Sequence, residues 1–203
     1  QVGHFFVLLA FVASVISTIA YFKATKIKIE NLTNEQEGKK QSWLRFARGA
    51  FFIQAFSLLA VFACIYYICS QHYFEYLYAY KHASKELEPK YLLACIWEGQ
   101  EGSFLLWALW HCALGIVLIF TAKKREAPVM TIVSTAQIFL TSMILGLYIF
   151  DVRFGSNPFT LTRNELAGPI FAQANYLSYI KDGIGLNVLL RNYWMVIHPP
   201  ILF

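Results

Sequence analysis

Charge is scarce in this sequence: only 14% of its 203 residues are Asp, Glu, Lys or Arg, against about a quarter in a soluble domain. With 58% hydrophobic residues, that composition excludes an ordinary soluble domain. Acids are rarer still. Apart from residues at loop edges, the long apolar runs contain no Asp or Glu, which argues against a cation or proton path through the spans. The four cysteines, Cys64, Cys69, Cys95 and Cys112, show no C-x-x-C spacing and no C-x-x-C-H. The chain is therefore not itself a c-type cytochrome, and it carries no zinc signature. Free buried thiols are the default, with a Cys69–Cys95 disulfide as the alternative on an oxidising side. No basic stripe interleaved with aromatics follows a soluble segment, so nucleic acid is set aside as a partner.

What is present is length of hydrophobic run. Four runs, residues 5–22, 46–69, 103–122 and 129–150, approach or exceed the roughly 20 residues that cross a hydrocarbon core as helix. A fifth begins near Tyr193, with its span proper from Pro199. The fold class is all-α, a polytopic transmembrane helical bundle of four complete spans and the start of a fifth. The chain begins without Met and ends in an apolar segment, so residues 1–203 are read as a single membrane-domain fragment. The first run lacks a basic leader and a small-residue cleavage pattern and is read as a retained helix.

Topology follows the basic residues near helix ends. Lys23, Lys26, Lys28, Arg45 and Arg48 flank the first loop and Lys123, Lys124 and Arg125 fill the third. Both belong on the cytoplasmic side, where they meet anionic headgroups of membrane lipid. Loops 70–102 and 151–198 then face out, as does the N-terminus. The net charge of +5 is a topology signal.

The first loop, from Lys23 to Ser42, has no apolar period and reads as a solvated connector. Tyr76, Tyr78 and Tyr80 alternate, as in an extended segment or a frayed helix. Residues 91–120 read as one helix of about 45 Å, longer than a hydrocarbon core of roughly 30 Å, so its first turns protrude. In the fourth loop, Phe171, Ala174, Leu177 and Ser178 share a helical face, which predicts a short surface helix over residues 170–181.

Candidate functional residues cluster in two motifs. Trp97-Glu-Gly-Gln-Glu-Gly-Ser-Phe-Leu-Leu-Trp107 sets two carboxylates, Glu98 and Glu101, and two glycines, Gly99 and Gly102, between two tryptophans at the mouth of a span. Acids at such an edge face water, a partner or a ligand; the structural alternative is a helix N-terminus that favours acids. In Ile197-His198-Pro199-Pro200, proline restricts the residue before it and suits a first helical turn. His198 is thus expected as the last non-helical residue at a helix N-terminus, its imidazole kept neutral and free to ligate a metal; the alternative is a packing or capping histidine. His111 lies inside the third span, where a hydrogen bond to a neighbouring helix competes with haem ligation. His4, His72 and His82 lie near the outer surface and read as inert.

These motifs, with Ser156-Asn-Pro-Phe159 and Leu186-Asn187 between them, make the chain resemble the amino-terminal part of the CcmF/CcsA family of cytochrome c maturation. The likeness covers the chain from about Arg48 onward. It implies a multi-pass bacterial inner-membrane protein that holds b-type haem in transit at its outer face. It also implies help in joining that haem to the C-x-x-C-H of apocytochrome c, as a haem lyase component. His198 matches the family's first outer axial histidine. The resemblance implies a haem chaperone and other maturation subunits as partners. An outer groove also suits haem physically, with Trp97, Glu98, Gly99, Glu101, Gly102 and Trp107 shaping the haem or apoprotein dock and Arg163, Lys181 or Arg191 meeting the propionates. The sequence departs from the family at Glu98 and Gln100, where a glycine and a histidine are common. Competing readings are a transporter or channel with an acidic outer vestibule, and a scaffolding subunit.

Overall fold

The computed structural model describes residues 1–27, 34–150 and 152–202. Lys28, Asp151 and Phe203, which enter the topology and span expectations, lie outside the described residues. Among the described residues, four helices are long and apolar enough to cross a membrane: α1 (Val2–Lys26), α2 (Asn34–Ser70), α5 (Gln100–Thr121) and α6 (Glu126–Leu145, extended by a 3₁₀ turn from Lys123). α1 packs on α2 and α6, and α5 packs on α6 and α2. The four thus form a ring in which α1 and α5 are diagonal.

The bundle closes because each helix buries a stripe at three- and four-residue steps, which alternate strictly on α1 and α6. On α1 this is Gly3, Val7, Ala10, Ser14, Ser17, Tyr21 and Ala24. On α6 it is Ala127, Met130, Ser134, Gln137, Thr141 and Ile144. A 3.5-residue repeat keeps the seam on one face along the whole helix, and small residues let backbones approach closely. Side-chain hydroxyls in the seam meet across it, with Ser14 and Thr141 3.4 Å apart and Ser17 and Ser134 3.2 Å apart. Gln137 donates to the Ala108 carbonyl at 2.8 Å. Near the lysine-rich end, Arg48 makes a two-pronged bond to Glu126, Nε to Oε1 at 2.7 Å and Nη2 to Oε2 at 2.5 Å.

The other end carries a cap built from residues 71–99 and 146–192. It contains α3 (Leu77–His82), α4 (Leu92–Glu98), the hairpin β1 (Leu147–Ile149) and β2 (Val152–Phe154), and the short α7 (Thr162–Glu165). The hairpin is antiparallel, with Leu147 opposite Phe154. The two cap segments are stitched by Leu77 N–H to the Thr160 carbonyl at 2.9 Å, Thr162 N–H to the Glu75 carbonyl at 2.8 Å and Ile184 N–H to the Tyr80 carbonyl at 2.8 Å. α8 (Tyr193–Leu202) leaves the cap and rests against α4.

Five expectations are corrected. α2 begins at Asn34, so the second half of the supposed connector is helical. Glu35 and Glu37 in its first turn complement the helix dipole, which an apolar-period search does not register. The helix expected over 91–120 is broken at Gly99 (φ −75°, ψ 154°), and α4 folds back into the cap instead of protruding. The fourth span ends at Leu145, where Gly146 adopts φ 71°, a left-handed cap that glycine tolerates; residues 147–154 form the hairpin. Residues 170–181 form turns around a 3₁₀ turn, Tyr176–Ser178, with only Tyr176 of that turn buried: one anchored ring does not require a helix. Finally, α8 starts at Tyr193, so His198 is helical and Pro199 and Pro200 lie inside the helix. Its first six residues precede the prolines, so the helix is already established before Pro199 removes an N–H.

Candidate functional site

The break at Gly99 decides the geometry of the acidic motif. Tyr78 on α3 turns its ring into the notch that Gly99 and Gly102 leave open. A Cβ on Gly99 would come within 2.6 Å of that ring, and one on Gly102 would collide with the Ile96 carbonyl and the Tyr78 hydroxyl. The close approach that these glycines permit is therefore made by the chain itself. Tyr78 donates to the Ile96 and Cys95 carbonyls, the orphan acceptors at the end of α4. Burial, then the neighbouring Cys69 thiol and Glu101 carboxylate, push the Tyr78 phenol well above its ordinary range, so it remains a donor.

Glu98 is spoken for as well. One carboxylate oxygen lies 3.0 Å from His82 Nδ1 and the other accepts from the Asn187 N–H at 3.4 Å. It thereby ties α3, α4 and the distal loop together, in a pair whose side chains keep only 18% and 16% of their exposure. Ser103 donates to the Trp97 carbonyl at 2.8 Å, starting α5 directly after the break.

These residues line a polar cavity of about 380 Å³ walled by Tyr78, His82, Glu98, Glu101, Arg153 and Glu165, among others. Arg153 spans its far side, donating to Glu165 at 2.6 Å and to the Ser156 hydroxyl at 3.2 Å. Three carboxylates facing Lys81, His82 and Arg153 suit a hydrogen-bonding ligand such as an extended peptide, not a flat apolar one.

The structure brings together Glu98, Gly99, Glu101 and Gly102 of the sequence-predicted residues and separates the rest. Trp97 is buried in the core beneath the cavity. Trp107 lies on the exposed side of α5, edge-on to His111 at 6.2 Å. Arg191 donates through Nε to the Leu186 carbonyl at 3.2 Å, beside the Ala94–Cys95–Leu186 cluster on which Val196 of α8 packs. Cys95, in that cluster, has its thiol pushed up to about 12 by burial and by Glu98, and all four cysteines are free.

His198 sits on the exposed face of α8 and forms no hydrogen bond or ion pair among the described residues. Exposed Trp194 lies one turn before it, and Ile201 and Leu202 one turn after. The result is an imidazole on an open apolar face, joined to the acidic cavity through α4. Among the described residues no group of three or more His, Cys, Asp and Glu is placed to hold a bare metal ion.

Sequence reasoning missed Tyr78, His82, Arg153 and Glu165. Only the tyrosine alternation and the Ser156-Asn157 turn pointed toward them. Asn157 accepts from the Phe159 N–H at 2.9 Å and contacts His4 Nδ1 at 2.8 Å, so this turn fastens the cap to the start of α1.

Comparison with known proteins gives a consistent set of relatives. The chain is 28% identical over 151 residues to the cytochrome c-type biogenesis protein CcmF of Haemophilus influenzae, covering 72% of the chain and 20% of that protein. It is 26% identical over 165 residues to CcmF of Pseudomonas fluorescens, covering 79% and 22%. With the probable cytochrome c-type biogenesis protein NrfE of Escherichia coli it shares 27% identity over 146 residues, 72% and 23%. The chain spans about a fifth of the length of these curated relatives. No family model and no solved structure matches it.

Proposed function

Because the chain is related over part of its length to the CcmF family of cytochrome c biogenesis proteins, we propose that it acts in cytochrome c maturation. It takes haem as cargo at the outer face of a bacterial inner membrane and helps deliver it to the C-x-x-C-H of apocytochrome c. The observation that carries this reading is α8, where exposed His198 stands between exposed Trp194 and Leu202 on successive turns. An imidazole on an apolar, aromatic surface fits a porphyrin, which needs one axial nitrogen and a flat wall.

Haem supplies an iron that accepts the imidazole and vinyl groups that accept two thiols. This chain's residues bind and orient. His198 holds the iron through a ring nitrogen, and Trp194 and Leu202 cover the ring beside it. Arg191, whose Nε is engaged with Leu186, keeps its terminal nitrogens for a propionate. The acidic cavity around Glu98 and Glu101 receives the polar backbone of the apocytochrome, one helix away. The basic residues at the opposite end of the bundle support an outer position for these features and for the N-terminus, within reach of a haem chaperone and the other maturation subunits.

A transporter reading gains nothing from the geometry. The carboxylate buried in the bundle, Glu126, is matched by Arg48, and the acids of the cavity lie in the cap. The test is haem content and absorption spectrum of the purified protein carrying His198→Ala, with His111→Ala as the comparison. Loss of haem in the first and retention in the second is the expected result; unchanged occupancy and spectrum in His198→Ala reject ligation.

A further inference from the structure

At the lysine-rich end of the bundle, a groove of about 780 Å³ opens among α1, α2 and α6. Its floor is apolar. Ile19, Phe22 and the Trp43 ring line it, and the threonines that share the wall turn their hydroxyls back on their own helices. Thr18 donates to the Ser14 carbonyl at 2.9 Å, Thr131 to Ala127 at 2.7 Å and Thr135 to Thr131 at 2.7 Å. These side chains therefore present methyl groups.

The groove's rim is cationic. Lys23, Lys26 and Lys39 line it. The Lys23 ammonium lies 4.6 Å from the centroid of Trp43 and that of Lys26 lies 4.9 Å from Phe22. None of the three joins an ion pair among the described residues: Glu126 is taken by Arg48, and Glu37 lines a separate cavity. Cations held over aromatic faces without a carboxylate leave their charge available to an anion.

A second apolar cavity begins one turn further along α1 and α2, from Ile19 to Ile16 and from Trp43 to Phe46. It measures about 360 Å³ and is lined by Leu9, Val12, Ile16, Phe46, Gly49 and Ile53. It carries almost no polar lining besides Arg45 at its edge, and the exposed faces of Val12, Ile16 and Ile53 belong to the membrane-crossing parts of α1 and α2.

We propose that this crevice holds one anionic phospholipid, with its phosphate among Lys23, Lys26 and Lys39 and an acyl chain laid between α1 and α2 past Gly49. The charge argument selects this occupant: a zwitterionic lipid brings no net charge to three unpaired ammonium groups, whereas an anionic headgroup at this depth adds one negative charge that the three share. Basic residues near the bilayer surface favour anionic lipid by about fivefold each.

The experiment uses the purified protein reconstituted in bilayer discs of mixed phosphatidylglycerol and phosphatidylcholine, with retained lipid counted by native mass spectrometry. The protein is expected to retain phosphatidylglycerol selectively. The variant K23Q/K26Q/K39Q loses that selectivity, while Lys90→Gln in the cap keeps it. Gly49→Leu tests the chain half of the site, because a Cβ at Gly49 meets nothing within 4 Å and the added side chain fills the crevice without straining the fold. It is expected to lower retention of the long-chain lipid at unchanged helicity and thermal stability. Equal retention of the two lipids by the unaltered protein, or selectivity that survives the triple substitution, overturns the proposal. So does full retention in Gly49→Leu. Should the triple variant fail to fold, Lys39→Gln alone, read with Gly49→Leu, gives the same decision.

Discussion

The bundle and the cap are held together in different ways. In the bundle, each helix repeats one stripe of small and apolar residues over many turns, so each position contributes modestly and neighbours share a loss. In the cap, nothing repeats. Two loop segments are pinned by single events: the Tyr78 hydroxyl on the end of α4, Glu98 between His82 and Asn187, and Thr162 on Phe74 and Glu75. A seam tolerates change by distributing it, whereas a pinned loop concentrates it. The candidate site lies in the pinned part, so its geometry depends on a few residues that touch no ligand.

The largest expected effect sets two glycines against each other. Gly102→Ala drives a methyl into the Ile96 carbonyl, which is backbone and cannot turn away; overpacking of this kind costs on the order of 3 kcal/mol or more. Gly49→Ala, with open space around it, is neutral or gains up to about 1 kcal/mol in helix propensity. Unfolding in mixed micelles compares the two. Equal effects would erase the distinction between seam and pin.

Next in size is a place where the bundle itself is pinned. The Glu126 side chain is 3% exposed and that of Arg48 38%, so Arg48→Ala strands a buried carboxylate, at about 3 kcal/mol. Removing both charges in R48A/E126A recovers part of that loss. A double-mutant cycle with no coupling between the two sites would show the pair to be incidental.

Legibility in the sequence divides along the same line. The four spans were readable because hydrophobic length is a local property, and the two cap segments were placed at the same end by counting lysines and arginines. The 3.5-residue stripes were present in the letters too, but carried by Gly, Ala, Ser and Thr, which a search for apolar periodicity passes over. The cap was not readable. Gly99 ends a helix only because Tyr78, twenty-one positions earlier, occupies the notch, and His82 joins Glu98 only through α3. The prolines after His198 restrain the chain locally, yet the helix has already begun five residues before that histidine. Long-range contacts of one residue each leave no period to detect.

Tyr78→Phe isolates the hydroxyl from the ring. The ring still fills the Gly99–Gly102 notch, so packing is kept, while two carbonyls at the end of α4 lose their donor. A buried acceptor left unsatisfied costs about 1–3 kcal/mol, and the loss should appear as faster amide exchange in α4 than in α1. Uniform exchange across both helices would mean that cap and bundle open as one unit.

The smallest effect is one of pH, and it separates the two regions without disturbing packing. The Cys95 thiol rises from an ordinary 9.0 to about 12 in the folded cap because burial, then Glu98, disfavours the thiolate. Below pH 9 both folded and unfolded chains keep the proton, and this group adds no pH dependence. Between 9 and about 12 the unfolded chain releases it and the folded one does not, so the folded state binds more protons and stability falls as pH rises. Tyr78 adds the same trend from its ordinary 10.0 upward. Cap opening followed by exchange in α4 should therefore begin near pH 9, and when Cys95 and the neighbouring buried Cys69 are both replaced by alanine its onset should move up toward 10, where the phenol remains without a thiol beside it. An onset that does not move would assign the alkaline sensitivity to Tyr78 alone and leave Cys95 as packing between α4 and Leu186.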